Sequence, residues 1–264
     1  MNQVGVIGAG VMGEALIAAL ISYGTAPGSI TISEKRKDRA DELCTRYGIK
    51  VEDVATNVSK TDALLLVVKP QDMAAVLDEI KGSINKSAVV ITFAAGKKIS
   101  FIEQGLGTGN PVVRVMPNTP TLVGAGMAAI SLGAGVSTNQ SKFVSGFLAA
   151  TGKVIEVSED LQDAVTATSG SGPAYFFNFI EAMVNAGVEL GLTREIATTL
   201  AIETISGSAA MLKESGLDAA TLRTNVTSPN GTTAAALQIF SENNFENIVL
   251  QAMSAAEKRA QELA

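Results

Sequence analysis

The sequence contains no histidine and no tryptophan, a single cysteine, and only 5% aromatic residues. Without histidine there is no Ser-His-Asp or Cys-His triad, no imidazole metal ligand, and no imidazole to shuttle protons near neutral pH. With Cys44 alone, an intrachain disulfide and a cysteine-rich zinc site are both excluded. No metal is expected, although a carboxylate site for magnesium or calcium survives composition. Basic residues are outnumbered, 20 Lys and Arg against 26 Asp and Glu, for a net charge of −6. That balance argues against nucleic acid or an anionic membrane as the main partner. No apolar run reaches the roughly 18 residues of a transmembrane span. The apolar N-terminus lacks the basic region of a signal peptide. A cytoplasmic setting is the expectation.

The 264 residues, 47% of them hydrophobic, suffice for one or two globular domains. Val4, Val6 and Ile7 read as a strand buried on both faces. The following helix carries Ala15, Leu16, Ala19 and Leu20 and stops at Gly24. Strands are then expected at 30–33, 63–68, 88–92, 112–115, 127–131 and 154–156, and helices at 37–47, 71–80 and 99–104. This alternation implies an α/β fold with a parallel sheet and crossover helices. Beyond about residue 158 the spacing becomes helical throughout. Thr193 and Asp218 are placed to cap helices there, and Pro173 to open one. The boundary is therefore set between a first domain, 1–157, and a helical second domain, 158–264.

Gly8-Ala9-Gly10-Val11-Met12-Gly13 lies between the first strand and first helix, the context that gives a GxGxxG pattern meaning. Gly8 permits the turn, Gly10 admits a pyrophosphate close to the backbone, and Gly13 lets helix and strand pack. The free N–H groups and positive dipole end of the helix would hold the phosphate charge. At the end of the second strand stand Ser33, Glu34 and Lys35, followed by Arg36, Lys37 and Arg39. An acid there suits the ribose hydroxyl of NAD, and bases suit the 2′-phosphate of NADP. The pattern leans slightly to NADP; a solvated basic helix start is an equally good reading. Val68-Lys69-Pro70 ends another strand at the ligand-binding edge. Lys69 reads either as a residue near the nicotinamide or as a surface lysine before a proline.

Four further clusters remain: Ala94-Ala95-Gly96, MPNTP with Asn118, SGSGPAY at 169–175, and VTSPNGTT at 226–233. In the last, a Ser228–Gly231 turn feeds a helix near Thr232. Its unpaired N–H groups, with the hydroxyls of Ser228, Thr232 and Thr233, would make a carboxylate nest. The alternative is an ordinary threonine-capped helix.

In this order and spacing the clusters resemble the pyrroline-5-carboxylate reductase family, over essentially the whole chain. The resemblance implies a Rossmann-type NAD(P)-binding domain and an all-α domain that dimerises through its helices, with a ring of dimers as a further assembly. It implies reduction of 1-pyrroline-5-carboxylate to L-proline. Carried over by position, Ser228, Gly231, Thr232 and Thr233 would bind the substrate carboxylate, and Thr233 would also approach the ring nitrogen. Lys69, Pro70, Ala94, Ala95, Gly96 and Asn118 would line the cofactor. Thr233 and Lys69 are the candidate catalytic residues. The family usually has glycine where Asn230 stands; asparagine tolerates a left-handed backbone better than other side chains.

The missing histidine fits imine reduction. A protonated imine can enter from water, whereas alcohol oxidation needs a base for the hydroxyl proton. A β-hydroxyacid dehydrogenase would share the overall plan, but Phe176 stands where its catalytic lysine would fall. A binding-only protein is the other alternative.

Overall fold

A computed structural model describes residues 1–263. Its eight strands are β1 (Val4–Ile7), β2 (Ile30–Ser33), β3 (Lys50–Val51), β4 (Ala63–Leu66), β5 (Val89–Thr92), β6 (Val112–Met116), β7 (Gly126–Leu132) and β8 (Gly152–Glu156). They form one sheet in the order β3-β2-β1-β4-β5-β6-β7-β8. Every residue of β1, β2, β4 and β5 is buried, because helices cover both faces. The helices of this part are α1 (Val11–Tyr23), α2 (Lys37–Tyr47), α3 (Val54–Lys60), α4 (Met73–Ile80), α5 (Ile99–Leu106), α6 (Thr138–Ala149) and α7 (Gln162–Val165).

The twofold alternation of the strands sorts the core into two layers. On one face Val6, Ile32, Leu65 and Ile91 meet Leu16 and Leu20 of α1, Leu43 of α2 and Phe147 of α6. On the other, Leu64, Leu66 and Val90 meet Val58 of α3, Met73 and Leu77 of α4, and Ile102 of α5. Cys44 packs at the margin of the first layer, and burial pushes its thiol pKa up, with Asp41 adding to the effect.

One strand pair departs from the all-parallel expectation: β6 and β7 run antiparallel. Only residues 117–125 connect them, too few for a crossover helix. Two helices unforeseen in the sequence are also present. Asp53 caps α3 by accepting from the Thr56 N–H at 2.9 Å. Ser137 and Gln140 form a reciprocal capping box at the start of α6.

The chain divides into two compact units, 1–171 with 255–264, and 172–254. The second consists of helices: α8 (Gly172–Glu189), α9 (Arg194–Glu214), α10 (Ala219–Asn225), α11 (Thr232–Glu242) and the first part of α12 (Phe245–Glu262). Thr193 and Asp218 cap α9 and α10 as their positions suggest. The buried apolar cluster of this unit comprises only Val184, Ala197 and Ala201. Phe176, Phe177, Leu200, Ile239, Ile248 and Leu250 are exposed. No helix among the described residues is long and apolar enough to cross a membrane.

In the first unit α1 and α2 are joined through Glu14. Arg39 and Arg46 of α2 both pair with its carboxylate, and the Tyr47 hydroxyl donates to it at 2.9 Å. Burial alone would raise the Glu14 pKa, but the hydrogen bonds from Arg39, Tyr47 and Arg46 outweigh it and hold the carboxyl below its ordinary value. A depressed folded-state pKa stabilises the protein above the ordinary glutamate range, and that stability is lost as pH falls through the folded value. Glu14→Gln is therefore expected to cost about 1–2 kcal/mol at neutral pH, the scale of hydrogen bonds to a partly screened charge. The difference should shrink as pH falls through the folded-state value, read by urea denaturation followed by circular dichroism.

Candidate functional site

The parallel pairings Ile7 with Ser33, Ile7 with Leu66, and Leu66 with Thr92 bring the segments after β1, β2, β4 and β5 to one edge of the sheet. The strand order reverses between β1 and β4, the place where open α/β sheets form a ligand crevice. A cavity of about 570 Å³ lies there. Gly8, Gly10, Ser33, Glu34, Lys35, Val68 and Lys69 line it, all of them named from the sequence. Glu52, Asp53, Gln71, Asp72 and Glu79 line it as well and were not foreseen. In the sequence Asp53 is visible only as a helix cap, and tertiary structure brings it and Glu52 to the crevice.

Gly8 has φ +89°, and a Cβ there would stand 2.6 Å from the Val67 carbonyl oxygen. A Cβ at Gly13 would collide with the carbonyl oxygen of Gly8. Gly10 differs: its φ is −66°, and nothing lies within 4 Å of where a Cβ would be. The fold requires the outer two glycines, and the middle one leaves open space. No side chain caps α1. An open approach and an uncapped helix start fit the pyrophosphate of a dinucleotide. Ala9 contributes only backbone, since its side chain is buried; its N–H donates to Glu34 Oε2 at 2.8 Å. Met12 packs partly on the core, and Val11 is exposed.

The remaining expected cofactor residues stand after neighbouring strands, outside the lining of this cavity. Pro70 opens a short 3₁₀ turn directly after Lys69, which is exposed. Ala94 is buried and Ala95 half-buried. Gly96, at φ +76°, lies beneath the end of α12, where a Cβ would come 2.5 Å from the Ala260 carbonyl oxygen. Asn118 Oδ1 accepts from the Met127 N–H at 2.9 Å and so ties the loop after β6 to β7. The small residues of SGSGPAY also find a use: Gly170 ends a π-helical turn and makes room for the Met116 side chain.

In the helical unit, taken by itself, α11 begins at Thr232 with Gly231 as its N-cap and no side-chain capping bond. The Gly231 N–H closes the preceding turn onto the Ser228 carbonyl at 3.0 Å. Asn230 takes the left-handed conformation, φ 57°. A Cβ on Gly231 would strike Ser228 Oγ, so that hydroxyl lies against the helix start. Thr232 and Thr233 occupy the first turn and do not cap it. The segment thus offers an anion free N–H groups, the positive end of an eleven-residue helix and adjacent hydroxyls.

The glycine geometry has a direct consequence for stability. Gly13→Ala forces a methyl into the Gly8 carbonyl and is expected to cost about 1–3 kcal/mol. Gly10→Ala should stay within about 0.5 kcal/mol of the parent. Thermal unfolding of the two variants separates them.

Comparison with known proteins agrees with both parts of the chain. The family description "Pyrroline-5-carboxylate reductase dimerisation" matches residues 159–263, and "NADP oxidoreductase coenzyme F420-dependent" matches residues 3–96. A pyrroline-5-carboxylate reductase of Corynebacterium melassecola is 42% identical over 267 aligned residues, covering 100% of this chain and 99% of the relative. The solved structure of a Coxiella burnetii pyrroline-5-carboxylate reductase is similar at TM-score 0.90 and 34% identity, covering 100% of this chain and 98% of its own. A Plasmodium falciparum pyrroline carboxylate reductase, solved with NADP bound, is similar at TM-score 0.90 and 31% identity, covering 99% and 98%. Sequence clusters, sheet topology and full-length similarity coincide, and the chain belongs to the pyrroline-5-carboxylate reductase family.

Proposed function

We propose that this protein reduces 1-pyrroline-5-carboxylate to L-proline, the last step of proline biosynthesis, using NADP(H) or NAD(H). The observation that carries the reading is the start of α11, where Gly231 leaves the helix uncapped and sets the Ser228 hydroxyl beside it. The substrate is a small ring with one permanent anion, and this nest is built for a carboxylate.

Ser228, Gly231, Thr232 and Thr233 hold the carboxylate through backbone N–H groups and hydroxyls. The Thr233 hydroxyl also orients the N–H of the ring. The α1 start, with Gly8, Gly10 and Gly13, receives the pyrophosphate, and Lys69 lines the same crevice. Val68, Pro70, Ala94, Ala95, Gly96 and Asn118 complete the cofactor side. A reduced dinucleotide held there would supply the hydride that the imine carbon accepts. The chain needs no strong general acid, because the imine can enter from water already protonated. Its work is to hold the reacting carbon at near-attack distance and to exclude water. A chain without histidine can do this.

The division of labour we propose places dinucleotide binding in residues 1–157 and substrate binding with dimerisation in 158–264. Support for a homodimer through the C-terminal helices comes from the small core of the helical unit and the exposed Phe177, Ile239, Ile248 and Leu250. A ring of such dimers is the proposed larger assembly. The proposed setting is cytoplasmic, with neither nucleic acid nor membrane as partner, consistent with the net charge of −6.

The test is oxidation of reduced nicotinamide, followed by its near-ultraviolet absorbance, on addition of pyrroline-5-carboxylate, with proline identified as product. Consumption without proline, or no consumption by a folded protein, contradicts the proposal. Thr233→Val is expected to lower kcat/KM by about tenfold to a hundredfold, the worth of one hydrogen bond to a charged partner. Thr233→Ser should remain within about threefold of the parent, because the hydroxyl is kept.

A further inference from the structure

Arg114 of β6 is an arginine inside the sheet unit, only 3% exposed. Strand alternation puts it on the same face of β6 as Val112 and Met116. A buried charge needs partners, and this one has two. Nη2 donates to Asp163 Oδ1 of α7 at 2.9 Å, and Nη1 reaches Glu159 Oε1, just before α7, at 3.5 Å. The same Glu159 oxygen accepts from the Ile99 N–H at 2.6 Å, at the start of α5, where Lys98 gives no side-chain cap. Opposite Arg114 in the sheet, Ser131 Oγ of β7 accepts from Gln162 Nε2 of α7 at 2.9 Å. Two buried polar contacts therefore seat α7 on β6 and β7.

Each element tied to Arg114 adjoins one of the clusters singled out in the sequence. β6 runs into Pro117 and Asn118. α5 begins three residues after Gly96. α7 runs directly into a π-helical turn, Thr166–Gly170, closed by the Ser171 N–H on the Thr166 carbonyl at 2.8 Å. Turns of this width are rare, and many lie at functional sites. The turn meets β6 a second time, since a Cβ on Gly170 would come 2.5 Å from Met116 Cε. The chemistry proposed above uses none of Arg114, Glu159 and Asp163. A lysine could not replace the arginine, because its ammonium is a point charge without the planar fork that spans two carboxylates.

We infer that Arg114 is a positioning residue: through Glu159 and Asp163 it holds the Ala94–Gly96 segment, the Asn118 loop and the Thr166–Gly170 turn in the register that receives the dinucleotide. The inference rests on the proposed cofactor role of the first two segments and adds what orients them. Arg114→Lys is expected to weaken NADPH and NADH alike by at least about tenfold in calorimetric titration of the intact protein, roughly the worth of one hydrogen bond to a charged group. KM for pyrroline-5-carboxylate should stay within about threefold of the parent, because the Ser228–Thr233 segment belongs to the other unit. Glu159 is less buried than Arg114 and supplies a second pair of variants, which decides the matter if Arg114→Lys does not fold. Glu159→Ala should weaken dinucleotide binding by about fivefold, and Glu159→Gln, which still accepts from the Ile99 N–H, should stay within about twofold. A folded Arg114→Lys that melts at a lower temperature but binds the dinucleotides as the parent does would mark a structural contact only and overturn the inference. Unchanged affinity in Glu159→Ala overturns it as well. Failure of the parent to bind either dinucleotide overturns the cofactor reading itself, and this inference with it.

Discussion

Glycine occupies the N-cap of two helices, α1 at Gly10 and α11 at Gly231, and neither helix has a side-chain cap. Four other helices carry a side-chain cap, Asp53 on α3, Ser137 on α6, Thr193 on α9 and Asp218 on α10, and α2, α4, α5 and α7 start without one but with no glycine at the N-cap. A missing cap leaves N–H groups at the positive end of the helix without an acceptor, which favours an external anion. The proposed chemistry depends on these two starts, one for a pyrophosphate and one for a carboxylate. The surrounding glycines protect that arrangement. Gly8 and Gly13 allow strand and helix to close around the first, and Gly231 brings Ser228 Oγ to the second. Asn230 supplies the left-handed turn that usually falls to glycine.

The two units are unequal in their means of stability. The sheet unit has two full hydrophobic layers, whereas the buried apolar cluster of the helical unit comprises one valine and two alanines. Helices that expose Phe176, Phe177, Ile248 and Leu250 have more apolar surface than they can bury alone, and the dimerisation family they match accounts for it. The composition follows the same logic. Small residues let helices approach closely, and the absence of histidine fits the proposed reduction of an imine that can enter from water already protonated.

Much of the architecture was legible because it rests on local rules. The strand at 30–33 and the helix at 37–47 appear with the bounds their periodicity implies, and α1 ends at Gly24 in the left-handed conformation. The misses have physical causes. In α3 only Val54 and Val58 mark an apolar face, so its start was visible only as the Asp53 cap. The antiparallel turn of β7 is a matter of connection length, which periodicity does not report. The charges after β2 were least legible. A count of bases does not show that Arg39, one of the four, is taken up by Glu14, a partner distant in sequence. Glu52 and Asp53 enter the same crevice only through tertiary structure.

The central claim is that the α11 start anchors the substrate by its carboxylate. The most direct measurement compares kcat/KM for pyrroline-5-carboxylate with that for 1-pyrroline, the same imine without the carboxylate, at one saturating dinucleotide concentration. A site built around a polar group rejects an analogue that lacks it, so a loss of about a thousandfold or more is expected. Comparable rates for the two imines would show that the carboxylate is not what this helix start holds.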